Sequence, residues 1–254
     1  MSAQPIVGSG PSNQSIYEVK TSQAHPIGTR GYLPDGRVFF YTLNDTAAAL
    51  NVGQVIVASD IVANHQNVAT ATNSLAVGAS VVRDVTLGAT AAAADLYKDG
   101  YLAVTDAGGQ GQTFQLRSHD LVGSGGTGDF PIYGSVAVAS DASTTVSLFR
   151  NLYAGPQISQ TNQQDVVVGI PTTTIPVGSS AAQYGWLQTW GPAAVLFGAA
   201  IGTVGQAVVP DTSVQGAVEE DNTATTVSQE PIVGYTMSIG VDTEYQMVDL
   251  RIRP

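Results

Sequence analysis

Residues 99–120, DGYLAVTDAGGQGQTFQLRSHD, decide the fold. Two apolar runs flank Gly108-Gly109-Gln110-Gly111, and such a cluster serves either a phosphate cradle or a chain reversal. The cradle fails on spacing. A dinucleotide fingerprint needs a third glycine where Phe114 stands and a helix after it, and a P-loop needs a Gly-Lys-Ser/Thr after its glycines. The chain instead alternates, with Phe114, Leu116 and Ser118 facing one way and Thr113, Gln115, Arg117 and His119 the other, as in a half-buried strand. The glycines then read as the turn of a hairpin, where positive φ is wanted. Ser118-His119-Asp120 has the residue types of a hydrolase triad. Adjacent strand residues point to opposite faces, however, and a nucleophile needs its base within about 3 Å. His119 is expected to be a surface histidine at a strand end.

The same strand grammar recurs along the chain. Pro34-Asp35-Gly36 is a turn signal, and Val38 to Leu43 is β-branched or aromatic at nearly every position, so this strand is buried on both faces. Further strand signals lie in YGSVAVAS, TTVSLFRNLY, QDVVVGI, YGWLQTWG, AAVLFGA, EPIVGYTMSI and EYQMVDLRIRP, separated by Gly, Pro, Asp or Ser. In the last, Val248, Leu250 and Ile252 alternate with Asp249, Arg251 and Arg253, whose polar face is expected to look outward or meet acidic neighbours. Helix is a minor ingredient: Asp45 is placed to cap a short turn through TAAAL, and Thr90–Lys98 offers at most two turns. The spacing predicts an all-β protein of antiparallel sandwich or barrel-like subdomains. Residues 1–30, rich in Gly, Pro, Ser, Asn and Gln, read as an extended arm that orders only against a neighbour. The polar stretch 151–164 divides a first β domain, 31–155, from a second, 156–254.

Composition narrows the function. The 254 residues are 43% hydrophobic, enough for a real core, but only 11% charged, with Lys20 and Lys98 the only lysines. The net charge of −11 comes with no basic cluster, so the counterion-release footprint of nucleic-acid binding is missing, and DNA and RNA are excluded as direct partners. Anionic membranes are disfavoured by the same charge, and no apolar run approaches the roughly 20 residues that span a bilayer. The absence of cysteine removes disulfides, thiolate nucleophiles and zinc–sulfur sites. The opening MSAQPIVGSGPSNQ lacks the basic and apolar regions of a secretory signal, so synthesis in a cytoplasm is expected.

No catalytic, cofactor or metal residues are assigned. The three histidines, His25, His65 and His119, sit in no recognised motif. Glu219-Glu220-Asp221 lacks the alternation and central glycine of a calcium loop and reads as solvated. Trp186 and Trp190, four apart in one strand, fall on one face by strict alternation. That arrangement suits the core or a subunit interface, and, together with Tyr184, it is the one candidate for a glycan platform.

Taken in order, DGYLAVTDAGGQGQTFQLRSHD, STTVSLFRNLYAGPQI, AAQYGWLQTWGPAAVLFGAAIGTVGQAVVPDTSVQGAVE and PIVGYTMSIGVDTEYQMVDLRI resemble a family of virion structural proteins of tailed bacteriophages. PIGTRGYLPDGRVFFYTLND is similar to that family's N-terminal part, so the resemblance spans residues 26 to 253. It implies a capsid decoration or cement protein that is not an enzyme. Such a protein sits on the outer surface of the virion head, binds the major capsid protein and itself as a homo-oligomer, a trimer, and reinforces contacts between capsid subunits. The alternative within the same resemblance is a tail, neck or head-fibre component with host-glycan adhesion. The acidic balance suits an outer surface better than a DNA-facing one.

Overall fold

From the N-terminus the chain forms β1 (Ile6–Val7), β2 (Gly10–Pro11), β3 (Arg30–Tyr32), β4 (Val38–Asn44) and β5 (Ile56–Val57). It continues through β6 (Val68–Ala69), β7 (Val81–Thr86), β8 (Tyr101–Asp106), β9 (Thr113–Gln115), β10 (Thr127–Pro131) and β11 (Thr145–Phe149). It closes with β12 (Gln157–Ile158), β13 (Val167–Pro171), β14 (Gln183–Leu196), β15 (Ala207–Pro210), β16 (Val218–Glu220), β17 (Gly234–Thr236) and β18 (Tyr245–Arg251). The computed structural model describes residues 3–8, 10–71, 74–161, 165–221 and 231–254. Among them there is no helix, and every pair of strands is antiparallel, so the chain is all-β as its turn spacing predicts.

The domain expectation is corrected. Residues 1–59 and 152–254 form one compact unit, and residues 60–151 form a second, inserted between β5 and β12. The cause is long-range pairing. β4 pairs with β14, and β5 pairs with β12 and β13, so residues 31–59 belong with the C-terminal half. Periodicity marks strands but not their partners.

In the first unit the principal sheet runs β16-β15-β17-β18-β14-β4-β3-β1-β2 among the described residues. β14 organises it, pairing with β4 along its first half and β18 along its second. β4 is buried at six of its seven positions, so its continuous apolar run does mark a strand covered on both faces. One hydrophobic cluster gathers round Phe39, Tyr41, Leu50, Leu187 and Trp186. Another gathers round Val195, Phe197, Val208, Val218, Val248 and Leu250.

The N-terminal arm is also corrected. β1 and β2 form a hairpin whose Ile6 pairs with Tyr32 of β3, and Ile16 is fully buried against the chain's own core. Gln14 has the composition of a linker, yet its amide donates to the carbonyls of Glu18 and Tyr184 and its Oε1 accepts from the Tyr41 hydroxyl. The polar residues that mimic disorder are internal ties.

The second unit holds a four-stranded sheet, β6-β11-β8-β9, and the pair β10-β7. Its core includes Val82, Val85, Leu102, Leu116, Phe130, Ile132, Val146 and Leu148. The short helix expected over Thr90–Lys98 is absent. Ala92 exchanges backbone bonds with Val122, and Asp95 and Asp99 take φ of 61° and 60°, which no right-handed helix contains. Nor does Asp45 cap a helix: Asn44 turns the chain instead, its Oδ1 accepting from the Thr46 backbone and hydroxyl.

Candidate functional site

The glycine cluster joins β8 to β9 as a hairpin loop, with Leu102 opposite Phe114. Gly109 and Gly111 hold φ of +82° and +85°. Gln112 ties the loop to the segment beside it, donating to the carbonyls of Gly109 and Val138 and accepting from the backbone of Ala137 and Val138. The loop is architecture.

Ser118 and Asp120 are exposed, but His119 is buried, which corrects its expected surface position. Its Nε2 lies 3.1 Å from the backbone nitrogen of Tyr97, which can only donate, and its Nδ1 lies 2.7 Å from the carbonyl of Asp120, which can only accept. These neighbours fix the neutral Nδ1-protonated ring, because a second proton would face an N–H. Burial lowers the His119 pKa, partly offset by the Asp120 backbone contact and the Asp95 and Asp120 charges. The ring packs on Phe130 at 5.0 Å and Tyr97 at 5.7 Å between centroids.

His65 completes this cluster. Its Nε2 donates to the Thr90 carbonyl at 2.8 Å, so its Nδ1 is the acceptor of the Tyr97 hydroxyl. Burial holds the Tyr97 phenol well above its ordinary pKa. Both imidazoles and the phenol are enclosed with their polar atoms used, an arrangement that fixes a core rather than opening a reaction site.

A second pair escaped sequence reasoning. Ser12 Oγ lies 2.8 Å from His25 Nε2, the spacing of a nucleophile and its base. Ser12 is only 2% exposed, and its Oγ also accepts from the Gln14 backbone, so no substrate carbonyl reaches it. The His25 ring stands edge-on to Tyr41 at 5.3 Å and tilts over Trp186 at 5.7 Å. Desolvation lowers its pKa, with Lys20 adding to the effect. The pair fastens the N-terminal segment. Its members lie 13 positions apart in a polar run, and no motif marks either.

The tryptophans do not share a face. A bulge at Thr189 breaks the register, so Trp186 pairs with Tyr41 and Trp190 with Val38, three residues apart on β4 and on opposite sides. Trp186 is fully buried, its indole N–H without an acceptor among the described residues, while Trp190 carries the Arg251 guanidinium 4.5 Å from its ring. A glycan platform of both rings is therefore ruled out. Glu219 and Glu220 lie on the edge strand β16, where Glu219 accepts from the Thr212 backbone. No group of three His, Asp or Glu side chains among the described residues is placed to hold a metal.

What the first unit presents to solvent is an apolar sheet face. Val248, Leu250 and Thr236 point into the core, so Tyr245, Met247 and Asp249 of β18 and Tyr235 of β17 point out. Met237 continues this face, its backbone bonded to the Met247 carbonyl. Gly240 turns inward against the Phe197 ring, leaving Ile239 and Val241 outward. Pro192 and Ala194 of β14 extend the surface beside Asp249 and Met247. The second unit separately exposes the cross-strand pair Tyr101 and Phe149, and Tyr133 under the Arg117 guanidinium at 5.0 Å.

No helix among the described residues is long and apolar enough to cross a membrane. Comparison with known proteins finds no matching family model, curated protein or solved structure.

Proposed function

We propose that this chain is a structural subunit of a tailed-bacteriophage virion, a decoration protein that binds the outer surface of the head and reinforces contacts between major capsid subunits. The observation that carries this reading is the distribution of side chains. Among the described residues, the buried Ser12, His65, Tyr97 and His119 and the half-buried His25 are held in internal bonds, while Tyr, Met, Ile and Val side chains are left on outward faces. Contiguous exposed apolar surface marks an interaction site. A net charge of −11 favours solubility despite such faces, and it suits the outside of a DNA-filled shell. The resemblance across residues 26–253 supplies the particle.

Adhesion by a free N-terminal arm is replaced by adhesion through these faces, since β1 and β2 are already paired within the chain. The role needs no catalytic group, cofactor or nucleic-acid contact. The test is co-sedimentation of the purified protein with expanded, undecorated heads. Saturable binding that raises the heat resistance of the heads is expected. Failure to bind them, or hydrolysis of host-surface glycans abolished by one acidic substitution, would overturn the reading.

A further inference from the structure

We propose that His119 is an acid-operated latch: a proton taken up by its ring releases residues 93–98 from the inserted unit while the surrounding strands stay paired.

The segment lies between β7 and β8 and is fastened through this residue. The Asp95 N–H donates to the His119 carbonyl at 3.0 Å, the Asp95 carboxylate accepts from the His119 N–H at 3.1 Å, and the Tyr97 N–H donates to the ring Nε2 at 3.1 Å. Leu96 and Lys98 donate within the segment, to the carbonyls of Ala93 and Asp95. Its ends are pinned separately, Ala92 to Val122 and Asp99 to Leu116. Asp95 holds φ of 61°, which residues with a side chain rarely adopt, so the segment does not keep this shape by its own preference.

The ring's site holds a single acceptor. A neutral ring donates from Nδ1 to the Asp120 carbonyl and accepts at Nε2. A protonated ring donates from both nitrogens and sets an N–H against the N–H of Tyr97. His119 is only 6% exposed, so water does not relieve that opposition. The ring must leave, and the tie to Tyr97 goes with it. His65 is not equivalent, because its Nδ1 faces the Tyr97 hydroxyl, which can turn to accept a proton.

The charges facing the His119 ring are divided. Asp95 and Asp120 favour its protonation and His65 opposes it, while burial outweighs both carboxylates and holds the ring below its ordinary 6.5. Burial also keeps the neighbouring Tyr97 phenol neutral. In the open form the ring returns to water and to its ordinary value. The open form therefore binds more protons, and acid favours it. From a value of 6.5, the open fraction at about pH 5 rises by at most about thirtyfold.

Amide exchange of the native chain at about pH 7 and about pH 5, corrected for the chemical dependence of exchange on pH, tests the latch. Protection of peptides covering residues 93–98 is expected to fall several-fold on acidification while β8 and β11 keep theirs. The His119→Gln variant, whose amide oxygen can accept from Tyr97 but whose side chain does not titrate, is expected to stay closed at both pH values. If that variant misfolds, magnetic resonance of the His119 ring in the native chain decides, because protonation and opening must share one midpoint. Protection that ignores pH, an equal loss across the whole unit, acid opening in the His119→Gln variant, or separate midpoints would overturn the proposal. None of these outcomes depends on binding to heads, so the latch and the decoration reading fail separately.

Discussion

Replacing Tyr97 by Phe removes one oxygen atom from the middle of the inserted unit and leaves every carbon contact in place. The Tyr97 hydroxyl donates to His65 Nδ1, and His65 cannot compensate by moving its proton, because its Nε2 must keep donating to the Thr90 carbonyl. Both residues are fully buried, so water does not take over the lost bond. The variant therefore leaves a buried acceptor unpaired, which costs about 1–3 kcal/mol, against almost nothing for the small void. With a urea dependence of about 1–2 kcal/mol per molar for a unit of this size, the unfolding midpoint should fall by roughly 1 M. Trp186 and Trp190 both lie in the other unit, so the assay is amide exchange of peptides from residues 60–151 across a urea series. Removing His65 and Tyr97 together should cost less than the sum of the single changes. A Tyr97→Phe midpoint within error of the native one would refute the tautomer and the bond between these two side chains.

Two further outcomes rest on the same kind of geometry. The folded pKa values of His119 and His25 lie below the ordinary 6.5, so the unfolded chain binds more protons between the folded value and 6.5. Their stabilisation is complete above pH 6.5 and lost as the pH falls through the folded values; the melting temperature should drop between pH 7 and pH 5, and a flat or rising profile would contradict this. Gly178→Ala would set a methyl 1.8 Å from the backbone oxygen of Asn44, so the turn after β4 must shift. A loss of about 2–3 kcal/mol in chemical denaturation is expected, and a loss under about 0.5 kcal/mol would show that the turn yields freely.

Local structure was legible in the sequence wherever period and punctuation alone decide it. The hairpin about Gly108–Gly111, the doubly buried strand at Val38 and the alternation of Val248 with Leu250 needed no partner to be read. The hidden features depend on contacts between distant residues. The insertion of residues 60–151 comes from β4 choosing β14, and the opposite faces of Trp186 and Trp190 come from one extra residue at Thr189. Thr90–Lys98 is rich in alanine, yet backbone bonds to Val122 and His119 hold it out of a helix. Ser12, Gln14 and His25 resembled linker because each polar atom's partner lies far along the chain or in an unmarked turn. The outward face of β17 and β18 was hardest to foresee, since Tyr235, Met237, Tyr245 and Met247 differ from core residues only in the side of the sheet they occupy.

Whether this chain is an adhesive subunit of a virion shell is decided by a reconstruction of the intact particle. Density for this all-β fold is expected on the outer surface of the head, seated over contacts between major capsid subunits. Density confined to the tail, neck or fibres, or none anywhere on the particle, would contradict it.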